Sequence, residues 1–427
     1  MAIDIAYGSR TLHFIPPDVV TWLGTLDIAE APELNHRDEA IREALRRPIG
    51  LKHGLDGIVK PGETVAVIVS DAFRQTRADQ VLPILIGELA DTGIPDTDIQ
   101  ILFATGIHRA PRRDEQARIL GPAIFRRFKD RAFPHNPRDE SNLVSVGTTS
   151  RGTPVIVNRR AVEADRRIVI GAVVFHYFGG FGGGRKSILP GLASVESIAR
   201  NHSMNLDPVE DRLNPDVRIG ILDGNPVAED MLEAARLVGV DFTINTVLNR
   251  HAQIAAVFAG ELDAAHRAAA DYARRLFAAP ITERADLVVA NAGPSRNFVQ
   301  SHKALYNAYQ AVKPDGRIVF VARCEEGLGG EAFSKWIRLG DRQAIIAGLR
   351  RHSEINGQTA LSTVEKAPIA LFVTDMTDED VHTLGGRKSP TLEQAIATAL
   401  SELAPRSPIT GYIMPSAAYT VPLLCQE

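Results

Sequence analysis

The chain has 427 residues, enough for two or three domains, with 44% hydrophobic and 23% charged residues, which is ordinary for a globular protein. Its 48 Lys and Arg residues against 52 Asp and Glu residues give a net charge of −4. Composition therefore gives no support for a nucleic acid or another polyanion as a partner.

The sequence also shows neither a targeting signal nor a redox motif. The first residues lack a basic segment followed by an apolar core, and the longest apolar runs are too short and interrupted to span a membrane. The two cysteines, Cys324 and Cys425, do not form a C-x-x-C pair. These features argue against a disulfide scaffold and a thiolate zinc site, and they fit a reducing cytoplasm. A metal would need histidine, or sulfur from another molecule.

The first half of the chain alternates strand and helix patterns. An early β segment and a proline turn precede a predicted helix over residues 38–47. Residues 64–70 (TVAVIVS) form an apolar, β-branched run that is typical of a strand covered on both faces. A helix follows over residues 78–91. The strand pattern then returns at residues 98–104 (DIQILFA) and 167–174 (RIVIGAVV).

Polar residues able to do chemistry follow each of these three strands. Asp71 and Arg74 follow the first strand, His108 the second and His176 the third. Taken singly, each has an ordinary alternative: a turn cap, a solvated charge or a satisfied loop histidine. Ligands of parallel α/β sheets gather outside the carboxyl ends of the strands, so the shared placement of these residues favours one common site.

A glycine-rich stretch lies within residues 175–202 (FHYFGGFGGGRKSILPGLASVESIARNH). Glycines in such a loop permit positive φ and close approach to a ligand, and consecutive N–H groups can form an anion-binding nest. Lys186 adds an amine, as a phosphate partner or, if burial lowers its pKa, as a covalent anchor. Arg185 stands where a P-loop and a dinucleotide fingerprint each require glycine. We therefore predict a phosphorylated ligand bound without either nucleotide motif; a purely structural turn is the alternative.

The second half continues the alternation. Helices are predicted over residues 227–239 and 260–279, and strands over residues 242–248, 286–292, 317–322 and 369–374. Gln300-Ser301-His302-Lys303 lies near the start of a helix, where the helix dipole favours anions. An ordinary exposed first turn is the alternative there.

Together these patterns predict an α/β fold with two domains, each with a mostly parallel sheet flanked by helices, and an active site in the cleft between them. Pro280 ends the long second helix, so the N-terminal domain is placed at residues 1–278 and the C-terminal domain at residues 279–407. The tail over residues 408–427 is expected to pack back on the first domain.

With these motifs in view, the chain resembles the nickel-pincer lactate racemase family over essentially its full length. The resemblance rests on several short motifs in the family's order, namely Ser70-Asp71-x-x-Arg74, Thr105-Gly106-x-His108-Arg109, His176-Tyr177 with Gly182-Gly183-Gly184-Arg185-Lys186 and Pro190-Gly191, Asn201-His202, and Gln300-Ser301-x-Lys303.

The resemblance implies a cofactor, pyridinium-3,5-bisthiocarboxylic acid mononucleotide, which grips nickel through sulfur, carbon and sulfur. By motif, Lys186 would hold it covalently and His202 would be the protein's nickel ligand, a role that suits imidazole. Further cofactor contacts would come from Asp71, Arg74, Gly182, Gly183 and Gly184. Other proteins would have to make this cofactor.

The resemblance also implies a racemase or epimerase of 2-hydroxy acids that works by reversible hydride transfer. His108 and His176 would be the acid/base pair, since histidine can take either role near neutral pH. Arg74 and Lys303 are candidates for binding the substrate carboxylate, and Gln300 for a polar contact beside it.

Two positions differ from what lactate-specific members lead us to expect. Phe178 stands where a small hydroxyl residue is usual, and Val299 where a tyrosine is usual; His302 adds a polar group beside Lys303. The substrate is therefore lactate or a larger 2-hydroxy acid, with C2 epimerisation of an aldonic acid as the alternative. More distant alternatives are a non-catalytic carrier of the nickel cofactor and an NAD-type oxidoreductase.

Overall fold

The computed structural model describes residues 3–8 and 10–425. The strands are β1 Ile3–Tyr7, β2 Arg10–Phe14, β3 Val20–Thr25, β4 Val65–Ser70, β5 Ile99–Ala104, β6 Ala132–Pro134, β7 Leu143–Thr148, β8 Pro154–Asn158, β9 Arg166–Ala172, β10 Phe175–His176, β11 Gly180–Phe181, β12 Phe242–Leu248, β13 Ile254–Gly260, β14 Ala278–Ile281, β15 Ala285–Asn291, β16 Val312–Val321, β17 Ala370–Val373, β18 Arg387–Lys388, β19 Ile409–Met414 and β20 Val421–Leu424.

The helices are α1 Arg37–Arg46, α2 Leu55–Ile58, α3 Ala78–Asp91, α4 Arg113–Leu120, α5 Pro122–Phe128, α6 Arg159–Glu163, α7 Val195–Ser203, α8 Pro226–Val238, α9 Leu262–Phe277, α10 Phe298–Ala311, α11 Glu331–Ile337, α12 Arg342–Arg351, α13 Ile355–Lys366, α14 Asp378–Thr383 and α15 Leu392–Leu403. Within the described residues, no helix combines the length and apolar character that crossing a bilayer requires.

The chain divides into two compact units, each with its own six-stranded sheet. The N-unit consists of Glu30–Asn205 and Asn214–Leu276; the C-unit consists of Met1–Ala29, Leu206–Leu213 and Phe277–Glu427. Residues 1–29, which the sequence analysis grouped with the first domain, pair through β3 with β19 of the C-unit. The tail after residue 407 supplies β19 and β20 to that same unit.

The N-unit sheet has the strand order β13-β12-β9-β4-β5-β6, and its neighbours are parallel except for β12 and β13. β4 is buried from Val65 to Val69, as its β-branched sequence predicts. β9, β4 and β5 are adjacent and parallel, so the segments that follow them leave the same edge of the sheet. Asp71, His108 and His176 lie in those segments.

One face of this sheet is covered by helices that bury a continuous apolar stripe. Along α3, Val81, Leu82, Leu85 and Leu89 recur at helical spacing and are fully buried. They join a cluster that also includes buried side chains of α1, β4, β5 and β9. This packing fixes the strand ends from which the polar segments emerge.

The C-unit sheet has the strand order β18-β17-β16-β15-β19-β3, and all neighbours are parallel. Along β15, Leu287 and Val289 face a cluster built with α15 and the β1–β2 hairpin. Val288 and Ala290 face a second cluster built with α10, α11 and α13. Helices and the hairpin therefore cover both faces of the sheet, as a continuous apolar strand requires.

The predicted elements are found within a few residues of their expected bounds. The predicted strands correspond to β4, β5, β9, β12, β15, β16 and β17, and the predicted helices to α1, α3, α8 and α9. The predicted fold class, a two-domain α/β protein with mostly parallel sheets flanked by helices, is confirmed.

Candidate active site

A buried carboxylate from the neighbouring strand holds His108. Asp71 follows β4 directly, is 2% exposed, and accepts the Phe73 N–H on Oδ1. Its Oδ2 lies 2.6 Å from Nδ1 of His108. Since an ionised carboxylate only accepts, a neutral His108 carries its proton on Nδ1 and its lone pair on Nε2. His108 is therefore oriented to take a proton at Nε2, and 41% of its side chain is exposed.

The sequence analysis did not single out the aromatic ring beside this pair. Phe73 is 54% exposed, and its ring centroid lies 4.9 Å from that of His108. The Arg109 guanidinium lies over the same ring at 5.2 Å and makes two hydrogen bonds, of 2.6 and 2.7 Å, to Glu115. The signal was present in the sequence, because Phe73 lies between Asp71 and Arg74. Arg74 itself is exposed.

His176 lies in the short antiparallel pair formed by β10 and β11, where it faces Gly180. Its Nδ1 accepts hydrogen bonds from the backbone N–H groups of Phe178 and Gly179, each at 3.2 Å. Its Nε2 lies 3.4 Å from Nζ of Lys186. The structure thus brings a predicted acid/base residue next to the predicted anchor. Backbone groups hold His176, whereas a carboxylate holds His108.

His202 is buried on α7, 3% exposed. Its Nδ1 donates to the Ile198 carbonyl at 2.9 Å, so a neutral ring has its lone pair on Nε2. Burial and, secondarily, the charge of Lys186 lower the pKa of His202 to about 3. The ring of Phe178 meets it edge-on at 6.3 Å. A neutral, buried imidazole with a fixed tautomer is the state that binds a metal.

A buried carboxylate on α8 anchors α7, the helix that carries His202. Asp230 is fully buried and accepts hydrogen bonds from Asn201 Nδ2 at 2.8 Å and from Thr149 and Thr153. Asn201 also donates to the Val227 carbonyl. Beyond the helix, Nδ2 of Asn205 is buried without a hydrogen-bond partner. A polar ligand is one occupant that such an orphaned donor accommodates.

Several backbone N–H groups of the glycine loop already donate hydrogen bonds to acceptors within the protein. The N–H of Gly182 donates to the Val174 carbonyl at 2.8 Å, and that of Gly184 donates to Asn245 Oδ1 at 3.0 Å. A Cβ on Gly183 would lie 2.8 Å from the Val173 side chain. These glycines therefore allow protein segments to pack closely, and the predicted anion nest does not extend to the N–H groups of Gly182 and Gly184.

The loops of His108 and Lys186 are also joined. The Gly106 N–H donates to the Gly191 carbonyl at 2.9 Å, and a Cβ on Gly106 would lie 3.3 Å from the Pro190 carbonyl oxygen. Asp71, His108, His176, Lys186 and His202 therefore occupy connected segments of the N-unit.

The predicted C-unit contacts lie on the first turns of α10. Asn297 caps this helix by accepting the Gln300 N–H, and Gln300 and Lys303 are exposed. His302, in contrast, is 1% exposed and packs in the core against Phe298. The expectation that His302 adds a polar group to a pocket beside Lys303 is not supported, because consecutive residues of a helix point about 100° apart and His302 faces the core.

Comparison with known families places these features in context. The family model for the lactate racemase N-terminal domain matches residues 7–213, and the family model for the lactate racemase C-terminal domain matches residues 281–411. The chain belongs to the lactate racemase family. The resemblance inferred from the sequence motifs is thereby confirmed, and family membership supports an isomerase activity of the racemase class.

Individual relatives agree. The chain is 32% identical to the lactate racemase of Thermoanaerobacterium thermosaccharolyticum over 340 residues, covering 79% of this chain and 78% of the relative. It is 32% identical to the lactate racemase of Lactiplantibacillus plantarum over 338 residues, covering 78% and 77%.

Solved structures give the same result. The lactate racemase apoprotein of Thermoanaerobacterium thermosaccharolyticum superposes with a TM-score of 0.88 at 28% identity, over 99% of this chain and 100% of that one. A Thermotoga maritima protein shares the fold with a TM-score of 0.64 at 19% identity, over 91% and 98% of the two chains.

Proposed function

We propose that the chain is a nickel-pincer-dependent racemase of 2-hydroxy acids, with lactate or a larger acid as substrate. The observation that carries this proposal is the pairing of an oriented base, His108 on Asp71, with the His176–Lys186 contact in the same unit. Inversion at one carbon requires access to both of its faces, and two histidines from separate segments are suited to that task.

The residues present fit the family's cofactor. Lys186 would hold the nucleotide covalently, and His202 would coordinate nickel through Nε2; its neutral state and the buried Asn205 amide support this assignment. In the described part of the chain, no three His, Cys, Asp or Glu side chains are grouped to hold a metal, so further ligands would come from the cofactor. When bound, the cofactor supplies a hydride acceptor that amino-acid side chains lack.

The chain's own residues move the proton. His108 takes the substrate hydroxyl proton at Nε2, and Asp71 supplies the counter-charge as it does so. His176 starts in its protonated form, gives a proton to the oxygen on the other face and ends neutral, while His108 ends protonated. The opposite enantiomer uses the reverse starting states. Arg74 and Lys303 are our candidates for binding the substrate carboxylate, and Gln300 for a polar contact with the substrate. Asp71 thus acts through His108, in addition to any cofactor contact.

The glycine loop would lie against the nucleotide. Because the N–H groups of Gly182 and Gly184 already have protein acceptors, their contribution would be close approach of the backbone and not anion binding. We keep Gly182, Gly183 and Gly184 as cofactor contacts in that sense.

The size of the acid depends on the residues near His176 and His202. Phe178 is 3% exposed and packs on His176, Tyr177 and His202, so its ring fills space where a smaller residue would leave room. A pocket contact changes selectivity by only about 1–3 kcal/mol, so C2 epimerisation of an aldonic acid remains the alternative on the same mechanism.

A non-catalytic cofactor carrier is the rival from another class. A carrier needs Lys186 and His202, but it gains nothing from a histidine oriented by a buried carboxylate. The Asp71–His108 contact therefore favours the enzyme. An NAD-type oxidoreductase is disfavoured because Arg185 replaces a required fingerprint glycine.

The decisive experiment is a screen of single-enantiomer 2-hydroxy acids, from lactate to aldonic acids, followed by chiral chromatography. The protein is co-produced with cofactor-biosynthesis proteins, and the chain produced alone is the control. We expect inversion at C2 for at least one acid with the loaded protein and none with the control. A loaded protein that inverts none of them would contradict the proposal.

A further inference from the structure

Arg185, the residue that breaks both nucleotide motifs, points into the core of the N-unit. It is 2% exposed and is one of the largest fully buried side chains. Its Nη2 donates to Asp263 Oδ1 at 2.5 Å, and its Nη1 donates to the Ala228 carbonyl at 3.4 Å. A buried guanidinium needs such a carboxylate partner. The sequence neighbour Lys186 contacts His176 instead.

His266 on α9 extends this contact back to the loop. Its Nε2 donates to the Gly182 carbonyl at 2.8 Å, which leaves the lone pair on Nδ1 to accept from Arg185 Nη2 at 3.2 Å. The bond accepted at Nδ1 requires a neutral ring, and burial, followed by the charge of Arg185, lowers the pKa of His266 to about 3. Arg185 therefore contacts His266, and His266 contacts Gly182, so two residues of the glycine loop are linked through α9.

The same loop is packed too tightly to shift freely. A Cβ on Gly184 would lie 2.8 Å from Cδ2 of His266, and Gly184 has a φ of +46°. The Gly184–Ser187 segment forms a single 3-10 turn, so the direction of the Lys186 side chain follows the turn. We call Arg185, Asp263 and His266 the loop clamp.

We propose that Arg185 is a positioning residue for Lys186, acting through the loop clamp to keep Nζ beside His176. This inference rests on the proposed role of Lys186 as cofactor anchor. A free loop would spread Nζ over many positions, and a covalent attachment loses rate when its nucleophile is not held in place. Asp263 is itself held in place, since its Oδ2 also accepts from Arg267 Nε at 2.9 Å.

The test compares Asp263→Asn and Arg185→Lys with a matched control, Arg166→Gln. Arg166 begins β9, the strand that leads toward the loop, and it makes comparable ion pairs with Glu63 and Asp241. Hydrogen exchange of residues 180–188 is measured on the unloaded proteins. The fraction of chains with a mass addition at Lys186 is measured after co-production with the cofactor-biosynthesis proteins.

We expect exchange in this loop to rise about 10-fold or more in Asp263→Asn, and less in Arg185→Lys, which keeps the charge. The loaded fraction should fall several-fold, and in the loaded chains kcat should fall while KM changes by less than about twofold. Arg166→Gln should unfold at a lower temperature but match the wild type in loop exchange and loading.

Two results would overturn the inference. The first is wild-type loop exchange in Asp263→Asn. The second is wild-type loading and kcat in a variant whose loop exchanges faster, since the clamp would then be purely structural. A wild-type chain that acquires no mass at Lys186 under the same conditions would instead refute the anchor in the proposed function, and with it any role for the clamp in loading.

Discussion

Nδ1 of His108 donates to the buried carboxylate of Asp71 over 2.6 Å, so the lone pair of a neutral His108 lies on Nε2. Nδ1 of His176 accepts two backbone N–H groups. The two histidines therefore differ in what stabilises them when they take up a proton. This difference leads to the first prediction.

Asp71→Asn should reduce kcat on the order of 10²-fold, because the neutral amide neither fixes the His108 tautomer as firmly nor balances its charge. Initial rates of racemisation are measured with loaded protein whose nickel content has been determined. Asp96→Asn, which removes only a surface pair with Arg127, is the control. An unchanged kcat in Asp71→Asn would show that the carboxylate is not needed for proton transfer.

His108→Ala and His176→Ala should each lower racemisation by about 10²- to 10⁴-fold, the usual contribution of one acid/base group. Both variants should keep the Lys186 mass addition and nickel, because neither histidine is a proposed ligand. Activity, intact mass and metal content are measured on the same samples. Near-wild-type racemisation by either variant would rule out the two-histidine scheme.

Lys186→Ala and His202→Ala should separate attachment from metal binding. Lys186→Ala should lose the covalent mass addition. His202→Ala should keep part of the mass addition but lose most of the nickel, because the neutral imidazole of His202 is the proposed nickel ligand. Intact-protein mass and elemental analysis provide the readouts, with exposed Lys129→Ala as the control. An adduct still present in Lys186→Ala would place the attachment elsewhere.

Asp230→Asn should destabilise the N-unit by about 1–3 kcal/mol, since one buried acceptor becomes a donor facing Thr149, Thr153 and Asn201. Because Asn201 precedes His202, nickel occupancy should fall as well. Denaturant unfolding and metal analysis test both effects. Glu229→Gln, which weakens a half-exposed pair with Arg151, should change neither by a comparable amount.

The buried His302 predicts how stability depends on pH. Burial, followed by the charges of Lys366 and Lys303, lowers its pKa to about 3, below the value of about 6.5 for an unfolded chain. Between these values the unfolded state binds the extra proton, so this histidine removes up to about 1.4 kcal/mol of stability per pH unit as the pH falls from 6.5. Above that pH it has no effect.

Denaturant unfolding of the unloaded protein at several pH values between 5 and 8 tests this effect. His302→Gln should show a shallower loss of stability below pH 6.5 than the wild type, and exposed His382→Gln should not. Parallel pH profiles for the wild type and His302→Gln would contradict the assignment.

Local sequence patterns carry much of the fold. The β-branched apolar runs at residues 64–70 and 98–104 predict buried strands. The polar residues that follow these strands lie at one edge of the sheet because the strands are adjacent and parallel. The burial of His302 was also predictable. Phe298, Ser301, His302 and Leu305 recur at helical spacing on the buried face of α10, whereas Gln300 and Lys303 do not.

Contacts between segments that are far apart in the sequence could not be predicted from it. Nothing near Arg185 indicates that its partners are Asp263 and His266, on a helix 78 and 81 positions away. The contact between Asp71 and His108 likewise depends on the order of two strands and on the turn after each. The choice of β3 as the neighbour of β19 has no local signal, because an edge strand carries only a weak pattern.

That neighbour relationship sets an order of assembly during synthesis. The hydrogen-bonding partner of residues 20–25 is residues 409–413, so the first strand of the C-unit sheet leaves the ribosome long before its neighbour exists. The N-unit, completed by residue 276, has all of its strands by then and can fold as a unit. Residues 20–25 therefore lack their strand neighbour through most of translation, and an unpaired strand edge is open to chaperones and to mispairing.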